Sequence, residues 1–177
     1  MFPELETERL ELREITEKDT EDIFACFSNQ LVTRYYGQEP LTRLEQAREF
    51  VEFFSKIYAE KRGIRWGIKR KGTNHLIGTI GFNLWLPKHH RAEIGYEIHP
   101  DYWRNGYARE AIAKLISFGF EQLDLTRIGA VVFLENDASN QLLLNLGFEK
   151  EGILRAYMYQ NGVPNDVNVY SIVKTDL

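Results

Sequence analysis

An α+β fold, with a central mixed, mostly antiparallel seven-stranded sheet flanked by about four helices, is predicted by three features of the sequence. Short runs such as Arg9–Glu14 alternate apolar Leu10 and Leu12 with charged residues, the period-two signature of a half-buried strand. Longer runs between them carry apolar residues at helical spacing. One stretch, Arg127–Leu134, is apolar almost throughout and suits a strand covered on both faces.

The elements follow in order. After the Arg9–Glu14 strand, Thr16-Glu17-Lys18-Asp19 reads as a helix start leading to Ile23, Phe24 and Phe27 on one face. Thr42-Arg43-Leu44-Glu45 has the pattern of a capping box. It opens a second helix with Ala47, Phe50, Val51, Phe54, Ile57 and Tyr58 at helical spacing. Arg65–Arg70 and Leu76–Leu84 form a predicted antiparallel hairpin across Lys71-Gly72-Thr73-Asn74. A strand over Arg91–Ile98 ends at Pro100. The next helix runs from about Tyr107 to Leu123, with Ala108, Ala111, Ile112, Leu115, Ile116 and Gly119 as its inner stripe. Beyond the apolar strand, Ala138–Leu146 is a short helix closed by Gly147. Strands near Phe148–Tyr159 and Val167–Lys174 flank an Asn161-Gly162 turn.

With 177 residues, no repeat and no linker, the chain reads as one domain over 1–177. Eleven Phe, nine Tyr and three Trp argue against disorder. No apolar run approaches the ~20 residues of a membrane span, and no secretory leader is expected, so the predicted setting is cytoplasmic. A net charge of −4 argues against a nucleic-acid coat. Cys26, the only cysteine, excludes an internal disulfide framework and reads as a small core residue. The four histidines are scattered without supporting carboxylates, so no metal is expected.

The segment Trp103-Arg104-Asn105-Gly106-Tyr107-Ala108-Arg109 joins a strand to a helix N-terminus. Such a terminus offers unpaired N–H groups and a partial positive charge, a natural seat for a phosphate. Gly106 lets the backbone come close, and Arg104 and Arg109 add cations. The plainer reading is a glycine needed only for a tight turn.

Four blocks in order carry a resemblance. They are Thr7–Arg13, Glu93–Pro100, Trp103–Ala108, and Asn136-Asp137-Ala138-Ser139-Asn140 through Leu146-Gly147-Phe148. Glu151–Arg155, Asn161-Gly162 and Asp166 add a fifth. Together they resemble the GNAT superfamily of acyl-CoA-dependent N-acetyltransferases, in its ribosomal-protein-alanine acetyltransferase branch. The resemblance implies acetyl-CoA as co-substrate, with its pantetheine arm between the Arg91–Ile98 and Arg127–Leu134 strands. It also implies backbone contacts near Ile98, the pyrophosphate on the N–H groups of Arg104, Asn105, Gly106, Tyr107, Ala108 and Arg109, and Asn136 on the pantetheine arm. Trp103 stands where the superfamily commonly has Gln or Arg.

The implied reaction is attack of a neutral amine on the thioester carbonyl. It requires amine deprotonation, stabilisation of the oxyanion and protonation of the departing thiolate. Ser139 matches the family hydroxyl that reaches the sulfur; its other reading is a helix cap. Glu93 and Glu97, on one face by alternation, are the candidate bases, with a preference for Glu93; either also reads as a structural hydrogen-bond acceptor. Met158 occupies the position aligned with a late carboxylate in some relatives and cannot take a proton. Tyr35 and Tyr36, in the Val32–Pro40 connection, read as an acceptor-site wall or as packing.

The expected partner is an amine acceptor, either a protein N-terminus or a small molecule such as a polyamine or aminoglycoside. A catalytically silent acyl-CoA-binding module is the alternative, and the sequence leaves a homo-oligomer open.

Overall fold

The computed structural model describes residues 1–177. Eight strands form one sheet: β1 (Leu5–Glu6), β2 (Leu10–Glu14), β3 (Ile64–Arg70), β4 (Leu76–Leu86), β5 (Arg91–Ile98), β6 (Arg127–Phe133), β7 (Glu149–Gln160) and β8 (Val163–Val173). Five α-helices accompany them: α1 (Thr20–Phe27), α2 (Gln30–Thr33), α3 (Leu44–Ala59), α4 (Tyr107–Gln122) and α5 (Asp137–Asn145). The sheet order is β1-β2-β3-β4-β5-β6-β8-β7, antiparallel at every pair except β5–β6.

The predicted α+β fold is the one observed, with eight strands rather than seven and five α-helices rather than four. Both additions are short. β1 is a two-residue strand, too brief for a period to register. The four-residue α2 falls inside a stretch read as loop; its cap is local, with Asn29 Oδ1 accepting the Leu31 N–H at 2.9 Å. The α3 cap lies one residue beyond the expected Glu45: Gln46 Oε1 accepts from the N–H groups of Thr42 at 2.8 Å and Arg43 at 3.0 Å.

Strand alternation sends the two sheet faces to different partners. Trp66, fully buried, meets Phe118 of α4 edge-on with ring centroids 5.5 Å apart. Its neighbour Arg65 points the other way, 5.7 Å from the ring centre of Phe54 on α3. The predicted inner stripe of α4 buries Ala111, Ile112, Leu115, Ile116 and Gly119. On the opposite face α1 and α3 pack Ile23, Phe27, Val51 and Phe54 together, with Cys26 among them as expected.

No helix is long and apolar enough to cross a membrane. For function the decisive feature is the β5–β6 pair. The two strands are in parallel register only from Arg91↔Arg127 to Glu93↔Gly129. From Ile94 to Ile98 no pairing with β6 remains, so an opening forms at the carboxyl ends of two parallel strands, with the α4 N-terminus beside it.

Candidate active site

A cavity of about 560 Å³ occupies that opening. Its walls come from four segments far apart in sequence: the loop around α2, the end of β5, the turn into α4, and the start of α5.

The turn into α4 is built as an anion cradle. Arg104 and Gly106 both take left-handed backbone conformations, at φ +61° and +77°. None of the six N–H groups from Arg104 to Arg109 donates to a backbone carbonyl or a side chain; the first bond of the helix is from Glu110 N–H to Gly106 O at 3.1 Å. The Arg104 and Arg109 side chains line the cavity and enter no ion pair. Six unspent donors and two free cations at a helix N-terminus suit a pyrophosphate. Asn105 lies outside the cavity lining and shapes the turn instead, its Nδ2 donating to Tyr102 O at 3.1 Å and Trp103 O at 3.0 Å.

Trp103 adds a contact the sequence reading did not assign. Its indole Nε1 donates to Ile98 O at 2.6 Å, bonding one of the backbone groups exposed at the end of β5. Ile98 lines the cavity as expected.

At α5 the two readings of Ser139 separate. Asn136 is the residue that caps the helix, its Oδ1 accepting the Ser139 N–H at 3.3 Å. The Ser139 hydroxyl is thereby released from capping, and it accepts a hydrogen bond from the Tyr96 hydroxyl at 2.9 Å. Burial pushes the Tyr96 phenol up to about 12. Asn136 also lines the cavity, and its Nδ2 is uncommitted. Behind them Asn140 pins α5 to the sheet: its Nδ2 donates to Phe133 O at 3.1 Å, and its Oδ1 accepts from Asn168 at 2.9 Å and from the Tyr170 hydroxyl at 2.6 Å.

The two glutamates share a face of β5 and little else. Glu97 lines the cavity; Glu93 does not. Glu97 Oε2 accepts from the Arg65 guanidinium and from Thr79 Oγ1, the latter at 2.8 Å. Arg65 and Glu97 keep only 2% and 5% of their side-chain surface exposed. Gly95 makes room for this pair, because a Cβ there would come within 2.7 Å of Asn83 Nδ2 and 3.3 Å of Arg65 Nη1. Both partners of Glu97 use Oε2, while Oε1 has no hydrogen-bond partner and the residue lines the cavity. Glu93 sits at the paired end, over Gly129; burial raises its carboxyl above the usual glutamate range, against the pull of Arg91 and Arg127.

Tyr35 and Tyr36 both line the cavity, beside Leu31, Val32 and Arg34. Arg34 lies 5.1 Å from the Tyr35 ring centre, and Tyr36 packs 5.5 Å from Phe27. This wall is strapped to the β7–β8 hairpin, where Gly37 N–H donates to Gln160 Oε1 at 2.8 Å and Met158 packs against Gly37. No three His, Cys, Asp or Glu side chains gather as a metal site would need.

A family model described as an acetyltransferase (GNAT) domain matches residues 9–149. Over 174 residues, 98% of each chain, the sequence is 64% identical to the uncharacterized N-acetyltransferase YoaA of Bacillus subtilis (strain 168). It is 34% identical over 98 residues, 55% of each chain, to the ribosomal-protein-serine acetyltransferase of Escherichia coli (strain K12). Among solved structures, the spermidine N-acetyltransferase of Vibrio cholerae, in complex with CoA and spermine, superposes with a TM-score of 0.83 at 26% identity, covering 94% of this chain and 96% of that one.

Proposed function

Because the chain belongs to the GNAT acetyltransferase family and is an acetyl-CoA-dependent N-acetyltransferase, we propose that it transfers the acetyl group to the N-terminal amine of a protein. The observation that carries this reading is the single cavity that joins the N–H cradle of Arg104–Arg109, the Ser139 hydroxyl and the Glu97 carboxylate. The donor side of that cavity fits acetyl-CoA through groups already oriented: N–H donors for the pyrophosphate, and the open edge of β5 with Asn136 Nδ2 for the pantetheine amides.

The roles follow from position. Glu97 Oε1 receives the amine and takes its proton, directly or through a water. Arg65 and Thr79 hold the other oxygen, so the carboxylate arrives oriented rather than free to rotate. Ser139 donates to the departing sulfur. The support for Glu97 over Glu93 is the cavity itself, which Glu93 does not line.

Acceptor chemistry is supported by the opposite wall. Leu31, Val32, Tyr35 and Tyr36 present aliphatic and aromatic surface with one cation, Arg34; the carboxylates of the cavity lining are Glu97 on β5 and Asp137 at the start of α5. A protein N-terminus brings one amine flanked by neutral groups and matches this wall. A polyamine brings several cations, which would meet the Arg34 cation on this wall. An acceptor panel of N-terminal peptides, spermidine and an aminoglycoside, read by release of CoA thiol, tests the reading. Turnover on peptides above the others is expected; preferential turnover of spermidine would overturn it.

A further inference from the structure

The Tyr96–Ser139 hydrogen bond links β5 to α5 at the cavity. Tyr96 stands on β5, Ser139 on the first turn of α5, and both side chains line the cavity. A serine hydroxyl has one proton and two lone pairs, and it rotates to suit its partners. Two of its possible employments are closed here. Asn136 already caps the helix, so Ser139 does not need to, and the hydroxyl has no backbone carbonyl partner. What remains is one accepted bond from a buried phenol and one free proton.

We propose that Tyr96 is a positioning residue for acetyl transfer, aiming the Ser139 hydroxyl proton at the thioester sulfur. This rests on the reading of Ser139 as the group that meets the leaving sulfur. With one lone pair held by Tyr96 Oη–H, the Ser139 proton is turned away from Tyr96 and toward the open cavity. The bond also polarises the serine, since a hydroxyl that accepts a hydrogen bond becomes a better donor. No proton leaves Tyr96. As the amine N–C bond forms and the C–S bond breaks, the electron pair goes to sulfur. The Ser139 O–H keeps its proton and stabilises the thiolate by a hydrogen bond, the thiolate takes a proton from solvent on release, and the amine proton reaches Glu97 or solvent. The phenol, pushed up to about 12, stays protonated across any working pH and so remains a donor throughout.

The arrangement also accounts for a tyrosine in an otherwise apolar position. Tyr96 alternates with buried Ile94 and Ile98 along β5, where phenylalanine would serve packing equally well. The hydroxyl alone distinguishes it.

The test is a double-mutant cycle on single-turnover rates, with enzyme in excess over acetyl-CoA so that product release does not intervene. Tyr96→Phe is expected to slow transfer about tenfold, with acetyl-CoA affinity and melting temperature unchanged. Ser139→Ala is expected to slow it by about 10²–10⁴-fold. In the Ser139→Ala background, Tyr96→Phe should cost nothing more. A Tyr96→Phe rate equal to wild type, or the same tenfold loss without Ser139, overturns the proposal while leaving Ser139 in its role. If Ser139→Ala transfers at the wild-type rate, that underlying role fails and the proposal with it. Site-specific 3-fluorotyrosine at position 96, a stronger donor of nearly the same shape, gives a reading independent of folding: faster transfer is expected, and an unchanged or slower rate counts against the proposal.

Discussion

Arg9 Nε donates to Glu110 Oε2 at 2.7 Å, and the contact fastens the start of β2 to the first turn of α4. The same guanidinium donates through Nη1 to Asn105 O at 2.8 Å and lies 4.6 Å from the Tyr107 ring centre. One side chain thus holds the anion cradle from behind. Arg9→Ala should therefore weaken acetyl-CoA binding several-fold while leaving the single-turnover rate at saturation near wild type. Calorimetric titration with CoA checks the first part and rapid quench the second.

Gly106 supplies a backbone conformation and open space together. An added Cβ would meet only Arg9 Nη2, at an ordinary 3.4 Å, so the cost of Gly106→Ala is conformational. Holding alanine at φ +77° should destabilise the turn by roughly 1–2 kcal/mol, visible as a lowered melting temperature. Gly106→Glu adds negative charge where the pyrophosphate is expected, and should abolish CoA binding in a protein that still folds. Normal affinity in that variant would remove the turn from the site.

Each member of the buried Arg65–Glu97 pair leaves its partner's charge uncompensated when it is removed. Arg65→Ala leaves a buried carboxylate without its cation, and should cost about 3–5 kcal/mol of stability by denaturant unfolding. Glu97→Gln leaves the buried Arg65 guanidinium without its anion but keeps a side-chain oxygen for Arg65 and Thr79, so it should be destabilised less than Arg65→Ala and remain folded. It should lower transfer by about 10²–10⁴-fold. Full activity in Glu97→Gln would mean that the acceptor loses its proton to solvent instead.

Glu93 should behave as a passenger in catalysis and a small liability in stability. Its carboxyl is raised by burial, so its favourable contribution is complete below the unfolded glutamate value of about 4.3 and is lost as pH rises through the folded one. Glu93→Gln should then melt at or above wild type at neutral pH, with the gap closing near pH 4. Its activity should be unchanged. A large loss of activity would restore Glu93 as a base.

Asp19 and Glu110 shift the other way. Burial opposes ionisation at both, but Arg13 and the Thr16 N–H outweigh it at Asp19, and Thr7 with Arg9 outweigh it at Glu110. Each contributes stability above the ordinary carboxylate values near 4, lost as pH falls toward the lowered ones. Melting temperature should drop steeply below about pH 4, and Asp19→Asn should flatten that limb. An identical acid limb in the variant would exclude Asp19 from it.

Much of the architecture was legible because it is local. Leu10 and Leu12 alternate and are both fully buried; the α4 stripe repeats at helical spacing and is buried from Ala111 to Gly119, while Ala108 is half-buried and lines the cavity; Gly147 takes φ +94° just past α5. These features depend on neighbours a few residues away, so period and turn chemistry reveal them. The elements that escaped notice, Leu5–Glu6 and Gln30–Thr33, are too short to show a period.

The sequence by itself determined the sheet, its helices, the Gly106 turn and the resemblance that names the co-substrate. Only the tertiary structure decided which carboxylate faces the cavity and what Ser139 touches. Glu93 and Glu97 are equivalent under a period of two; they differ because β6 leaves β5 after Glu93↔Gly129, an event no local pattern encodes. Tyr96 and Ser139 lie 43 residues apart, as Arg9 and Glu110 lie 101 apart. Such pairs exist only once the sheet has closed around them, since side-chain hydrogen bonds are directional and short, and sequence carries no coordinate for either property.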